Sequence, residues 1–145
     1  MFDLFDKFRE YCEKAGILFI LGGQEWQNKL SALKGLKPDQ LMLGVEGNVS
    51  PTFNASLMTS VTYTLTVILG RKCEAKGTKS SMEETFEQKY DARLKDLMDQ
   101  LALIMSSMVC ENGYEITSFT MTPQINHLDL NIDCISSQVT ILVEP

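Results

Sequence analysis

The stretch from Met82 to Cys110 limits the possible folds more than any other. Met82, Phe86, Tyr90, Leu94, Leu97, Leu101, Ile104, Met105 and Met108 recur at steps of three and four, with Glu83, Glu84, Glu87, Lys89, Asp91, Arg93, Lys95, Asp96 and Asp99 between them. That spacing places one apolar stripe on an otherwise solvated helix. Ser81 with Glu84 three residues on has the form of a capping box, and Asn112-Gly113 supplies a left-handed stop. At about 1.5 Å per residue the helix is roughly 40 Å long. A helix of that length with one apolar side normally lies across a sheet, and strand-like segments flank it on both sides.

The clearest of these is Val61 to Lys72. Val61, Tyr63, Leu65, Val67 and Leu69 alternate with Thr62, Thr64 and Thr66, which makes one face core and the other wet. Upstream, Phe5, Phe8, Cys12 and Ala15 repeat at helical spacing up to Gly16, and Ile17 to Leu21 is a continuous apolar run of the kind a buried strand shows. Gly22-Gly23 turns into a short helix over Gln24 to Leu33, and Leu41 to Val45 reads as a short strand. Glu46 to Ser60, with Gly47, Asn48, Ser50, Pro51, Asn54 and Ser56, reads as a long loop whose apolar Phe53, Leu57 and Met58 need a partner.

Downstream, Tyr114 to Thr122 alternates but changes face midway, as a bulge near Thr117-Ser118 would produce. Pro123 to Asn126 is expected to break that strand. Leu128, Leu130, Ile132 and Cys134 alternate with Asp129, Asn131 and Asp133, Ser136-Ser137 interrupts, and Val139, Ile141 and Val143 resume. The expected fold is α+β: an antiparallel or mixed sheet of four to five strands with one long helix and shorter helices packed on one face, residues 1–145 forming a single domain.

The charge balance narrows the function. A net charge of −6 argues against broad nucleic-acid binding, which needs a surplus of Lys and Arg on at least one face. The one basic stretch is Arg71 to Lys79, expected to be a solvated connection into the long helix, with a contact to nucleic acid or an acidic neighbour as the sharper reading. Cys12, Cys73, Cys110 and Cys134 form no C-x-x-C pair and are expected to be reduced thiols. Acids at Asp3 and Asp6 stand where a signal peptide carries basic residues, and no apolar run is long enough to cross a bilayer.

No catalytic motif is present. His127, the one histidine, falls on one strand face with Asp129, Asn131 and Asp133, a set that could bind a divalent metal. Alternate residues of a strand stand about 7 Å apart, too far to converge on one ion, so a solvated face is the expected reading. The chain is expected to be no enzyme and to carry no cofactor or metal.

An N-terminal helix, strands ending in the Thr-rich Val61-Thr62-Tyr63-Thr64-Leu65-Thr66-Val67-Ile68-Leu69-Gly70-Arg71-Lys72, one helix across the sheet, and a closing strand pair over Leu128 to Val143 together resemble the tail-terminator and tail-completion proteins of tailed bacteriophages. The resemblance spans most of the chain, and the additional Trp26 segment departs from its simplest form. It implies a structural virion protein, assembled in the bacterial host cytoplasm, that forms a homo-oligomeric ring, hexameric or higher, in the neck or at the tail end. Its implied partners are copies of itself, neighbouring tail or neck proteins, and DNA passing through the lumen without specific binding; no membrane is implied. Phe53, Leu57, Met58, Arg71 and Lys72 are the subunit-interface candidates. A small cytosolic adaptor without catalytic activity is the alternative, and the Glu46 to Ser60 segment discriminates: in a monomer its apolar residues fold back on their own core.

Overall fold

In the computed structural model, which describes residues 4–22, 40–72, 94–110, 113–127 and 132–144, the elements are α1 (Leu4–Ala15), β1 (Leu18–Leu21), β2 (Leu41–Asn54), β3 (Leu57–Lys72), α2 (Lys95–Met105), β4 (Glu115–His127) and β5 (Ile132–Val143). The strands form one mixed sheet in the order β1-β2-β3-β5-β4, with β1 parallel to β2 and every other pairing antiparallel. The architecture is α+β.

The alternation in β3 sets the layers. Val61, Tyr63, Leu65, Val67 and Leu69 are all buried, and their partners across β5 are Val143, Ile141, Val139, Ser137 and Ile135. These side chains meet Leu4, Phe8 and Cys12 of α1 and Leu97, Leu101, Ile104 and Met105 of α2 in a single cluster. Both described helices therefore pack on the same face. Burying each such side chain favours the folded state by about 1.5 to 3 kcal/mol before ordering entropy is counted. The opposite face carries Thr62, Thr64, Thr66, Gln138 and Thr140, and the Thr66 hydroxyl donates to Gln138 Oε1 at 3.2 Å.

Of the apolar stripe expected over Met82 to Cys110, the described residues Leu94, Leu97, Leu101, Ile104, Met105 and Met108 are buried; a single long helix is not shown. Leu94 already has helical dihedrals (φ −68°, ψ −37°), and after Met105 the helix widens into a π-helical turn, Ser106–Cys110. Residues 82–93, and with them the Ser81–Glu84 capping box, lie outside the described residues, as does the short helix expected over Gln24 to Leu33.

A glycine and a backbone bond of the same kind follow each helical segment. Gly16 (φ 71°) and Gly113 (φ 79°) adopt left-handed backbone, and the next residue donates back five positions, Ile17 N–H to the Cys12 carbonyl at 2.9 Å and Tyr114 N–H to the Val109 carbonyl at 3.0 Å. At the end of α1 this is the six-to-one bond of a Schellman stop, satisfying a carbonyl the helix leaves open.

Three expectations need correction. Glu46 to Ser60 is no loop: β2 runs 14 residues and β3 16, joined by a tight turn at Ala55-Ser56, so the segment is the outer part of a β-hairpin. Pro123 does not end its strand; β4 passes through it to His127, and as an edge strand it tolerates a residue with no N–H. Ser136-Ser137 does not interrupt β5 either, because the buried Ser137 hydroxyl donates to the Val67 carbonyl at 2.7 Å. The bulge expected near Thr117 is present: the register shifts between Ile116 and Ser118, and the Thr117 hydroxyl donates to the Thr140 carbonyl at 3.3 Å.

Candidate functional site

The outer half of the β2–β3 hairpin is the part of the sheet that its own core does not cover. Leu43 and Val45 are buried, but every residue from Gly47 to Asn54 is exposed. The change coincides with the end of β1, which pairs only with Met42 to Val45; one further bond, Gly22 N–H to the Val45 carbonyl at 2.9 Å, closes that ladder. On the other strand, β5 pairs with β3 only from Val61 onward. Beyond those limits the hairpin is a two-stranded arm, held by its own ladder and by the Thr59 hydroxyl, which donates to the Thr52 carbonyl at 3.1 Å across a bulge.

Gly47 lies on β2 just past the end of β1, at a level where β3 is still paired with β5. Its φ of 153° lies in a region L side chains rarely adopt, and a Cβ there would collide with the Thr64 carbonyl and lie 2.8 Å from Leu65 Cα. A side chain is excluded, and the two strands stay in register through this point.

The arm carries most of the exposed apolar surface. Phe53 is 60% exposed, Leu57 is 74% exposed, and Val49 is also open to solvent; among the described residues the only other large exposed apolar side chain is Leu103, alone on the outer side of α2. A short arm has no core of its own in which to bury them. Met58 differs, being half-buried and packed against the main core.

Arg71 lies at the opposite end of β3, roughly 40 Å along the strand from Met58. Its side chain is only 20% exposed and turns to its own α2, with Nη1 3.4 Å from Asp96 Oδ2, which also accepts from Gln100 Nε2 at 2.6 Å. Lys72 follows at the strand end, and its side chain lies outside the described residues. The structure therefore brings Phe53, Leu57 and Met58 together and keeps Arg71 apart from them.

The acid–histidine set fares differently from its expectation of a solvated face. Asp133 is the register partner of Arg71 on the core side of the sheet and is fully buried, because β5 runs without a break and the parity of Ile135, Ser137 and Val139 extends back to it. Asp129 and Asn131 lie outside the described residues, as does the His127 side chain. Among the described residues no three His, Cys, Asp or Glu side chains are grouped as a metal needs. Cys12 and Cys134 are buried thiols outside any disulfide, and burial pushes both up to about 12, with the Asp133 charge adding to the effect at Cys134. At neutral pH neither is a nucleophile.

No helix among the described residues is long and apolar enough to cross a membrane. No protein-family model matches the chain, and no curated protein does either. What the geometry offers is an interaction surface: an extended arm with an apolar tip and an edge that pairs with no strand among the described residues.

Sequence reasoning singled out Phe53, Leu57 and Met58 but missed Val49 and Gly47. An isolated valine among polar residues gives no periodic signal, and a glycine flanked by Glu46 and Asn48 resembles any turn.

Proposed function

We propose that this chain is a structural protein that assembles with copies of itself into a ring, with the β2–β3 arm as the principal contact between neighbours. The observation that carries the proposal is the arm itself: Phe53 and Leu57 project from a two-stranded element with no core beneath it. In an assembly those side chains are covered by an adjacent copy, which removes apolar area from water. A heterologous contact of that kind repeats around a rotation axis and closes into a ring when the rotation permits.

Within this reading the chain acts as a tail-terminator or tail-completion protein of a tailed bacteriophage, with six or more copies placed in the neck or at the tail end, beside other tail or neck proteins. The support is the resemblance of element order and of the Thr-rich β3, together with a negative net charge of −6, which suits a lumen through which DNA slides without sticking. The reading includes assembly in the host cytoplasm, no catalytic activity, no cofactor and no membrane contact.

Trimming the arm tests the proposal. Replacing residues 53–59 by Asn-Gly between the register partners Thr52 and Ser60 supplies a two-residue hairpin turn and removes one side chain that packs on the core, the half-buried Met58. The trimmed chain is expected to keep the circular dichroism of the full chain and to melt slightly lower for want of the Met58 contact, while running as a monomer on a sizing column with light scattering. A trimmed chain that still forms the full assembly overturns the role of the arm.

A further inference from the structure

The sheet ends in two edges of complementary kind. Among the described residues, no strand pairs with the outer edge of β2 beyond Val45 on one side or with the outer edge of β4 on the other. Protein sheets normally guard such edges with Lys or other charges, with Pro, or by covering them. From 47 to 50 the β2 edge carries neither charge nor proline, Pro51 standing at its far end, and from 116 to 122 the β4 edge carries neither.

The two open stretches are level. Through the successive pairings, Asn48 aligns with Thr64, Thr140 and Ser118, and Ser50 aligns with Thr62, Leu142 and Glu115. Below that level both edges are closed to pairing: β1 covers Met42 to Val45 on one side, and on the other Pro123, with no N–H to donate, is level with Leu43. Strand direction also fits. β2 and β5 run one way and β3 and β4 the other, so β2 of one copy laid beside β4 of a second in the same sheet sense is antiparallel.

The side chains agree with this register. Glu46 is level with Thr120 and Glu115 with Ser50, so the two acids stand at opposite ends of the paired stretch and do not face each other. On the helix-bearing face, Val49 is level with Ile116, and the bare strip at Gly47 is level with Phe119, an aromatic beside an edge glycine. Ile116 and Phe119 are half-buried and pack against the main core, which a neighbour's Val49 would extend.

We infer that the β2 edge at residues 47–50 pairs antiparallel with the β4 edge at residues 115–119 of a second copy, head to tail, so that one sheet runs on from protomer to protomer. The occupant is this same chain, and the inference rests on the assembly reading above while specifying which surfaces meet.

The test is a cysteine pair, Asn48→Cys with Ser118→Cys in one chain, with Asn48→Cys and Thr120→Cys as a second pair two residues out of register. Within a copy, positions 48 and 118 are separated by three strand spacings, about 14 Å, too far for a disulfide. Under mild oxidation the first pair is expected to give a ladder of covalent multimers on a denaturing gel, and either single substitution to give none. Absence of a ladder from both pairs, while light scattering shows the unsubstituted chain as a multimer, overturns the edge pairing and leaves the ring reading standing. A ladder stopping at dimers from Asn48→Cys alone means β2 pairs with β2, which also overturns it. A monomer by light scattering with no ladder defeats both readings together.

Discussion

Gly47 and Thr64 approach so closely across the β2–β3 ladder that no side chain fits on Gly47. The contact lies between the end of β1 and the start of the two-stranded arm, so the path of β2 into the arm depends on one missing Cβ. Gly47→Ala must either push the strands apart or leave its φ of 153°, and the expected cost is about 1 to 3 kcal/mol, read by urea denaturation. Gly113→Ala meets nothing within 4 Å and is strained by its φ alone, so its cost is expected to be smaller, about 1 kcal/mol. Equal effects at the two positions would refute the close approach at Gly47.

The tip residues should separate stability from assembly. Phe53→Ser and Leu57→Ser remove side chains that are mostly in solvent, so each is expected to change unfolding free energy by less than about 0.5 kcal/mol. Both are expected to weaken self-association on dilution. A loss of several kcal/mol in a monomeric sample would mean that the tip folds back onto its own chain.

Tyr63 joins the sheet to the first helix. Its phenolic oxygen accepts the Leu4 N–H at 3.3 Å, one of the donors a helix start leaves open, and its ring meets Phe5 edge-on with centroids 5.7 Å apart. Tyr63→Phe keeps the ring contact and is expected to cost about 1 kcal/mol in thermal or urea unfolding. No measurable change would show that the Leu4 N–H finds another acceptor.

The buried thiols make stability depend on alkaline pH. Cys12 and Cys134 have folded-state values near 12 against an ordinary value of 9, so the unfolded chain loses these protons first. Their contribution is intact below pH 9 and is lost as pH rises from 9 toward 12, at up to about 1.4 kcal/mol per pH unit for each thiol. Urea midpoints in a Cys12→Ala, Cys134→Ala double variant should fall less steeply above pH 9. The same slope in both proteins would contradict the assigned cause.

Where a segment touches the core on one side only, its residues announced it. The period-two pattern of Val61 to Leu69 and the stripe from Leu94 to Met108 are both realised, and so is the bulge at Thr117, because a register shift swaps the face of every later apolar residue. The arm left no such mark. Residues 47–54 are wet on both faces, so polarity, Pro51 and Gly47 mimic a loop, and the turn at Ala55, with φ 56°, lacks the glycine that signals a hairpin. Ser137 and Asp133 were hidden for the opposite reason: they are polar residues at inward positions, and for Ser137 the satisfied hydroxyl explains the burial.

The most direct measurement is the mass of the unmodified chain in solution, by light scattering behind a sizing column over a wide range of concentration and salt. A discrete multimer of one fixed copy number, reached as concentration rises, is the result predicted by a ring built on the arm and the β2 edge. A monomer at every concentration and salt level would contradict it.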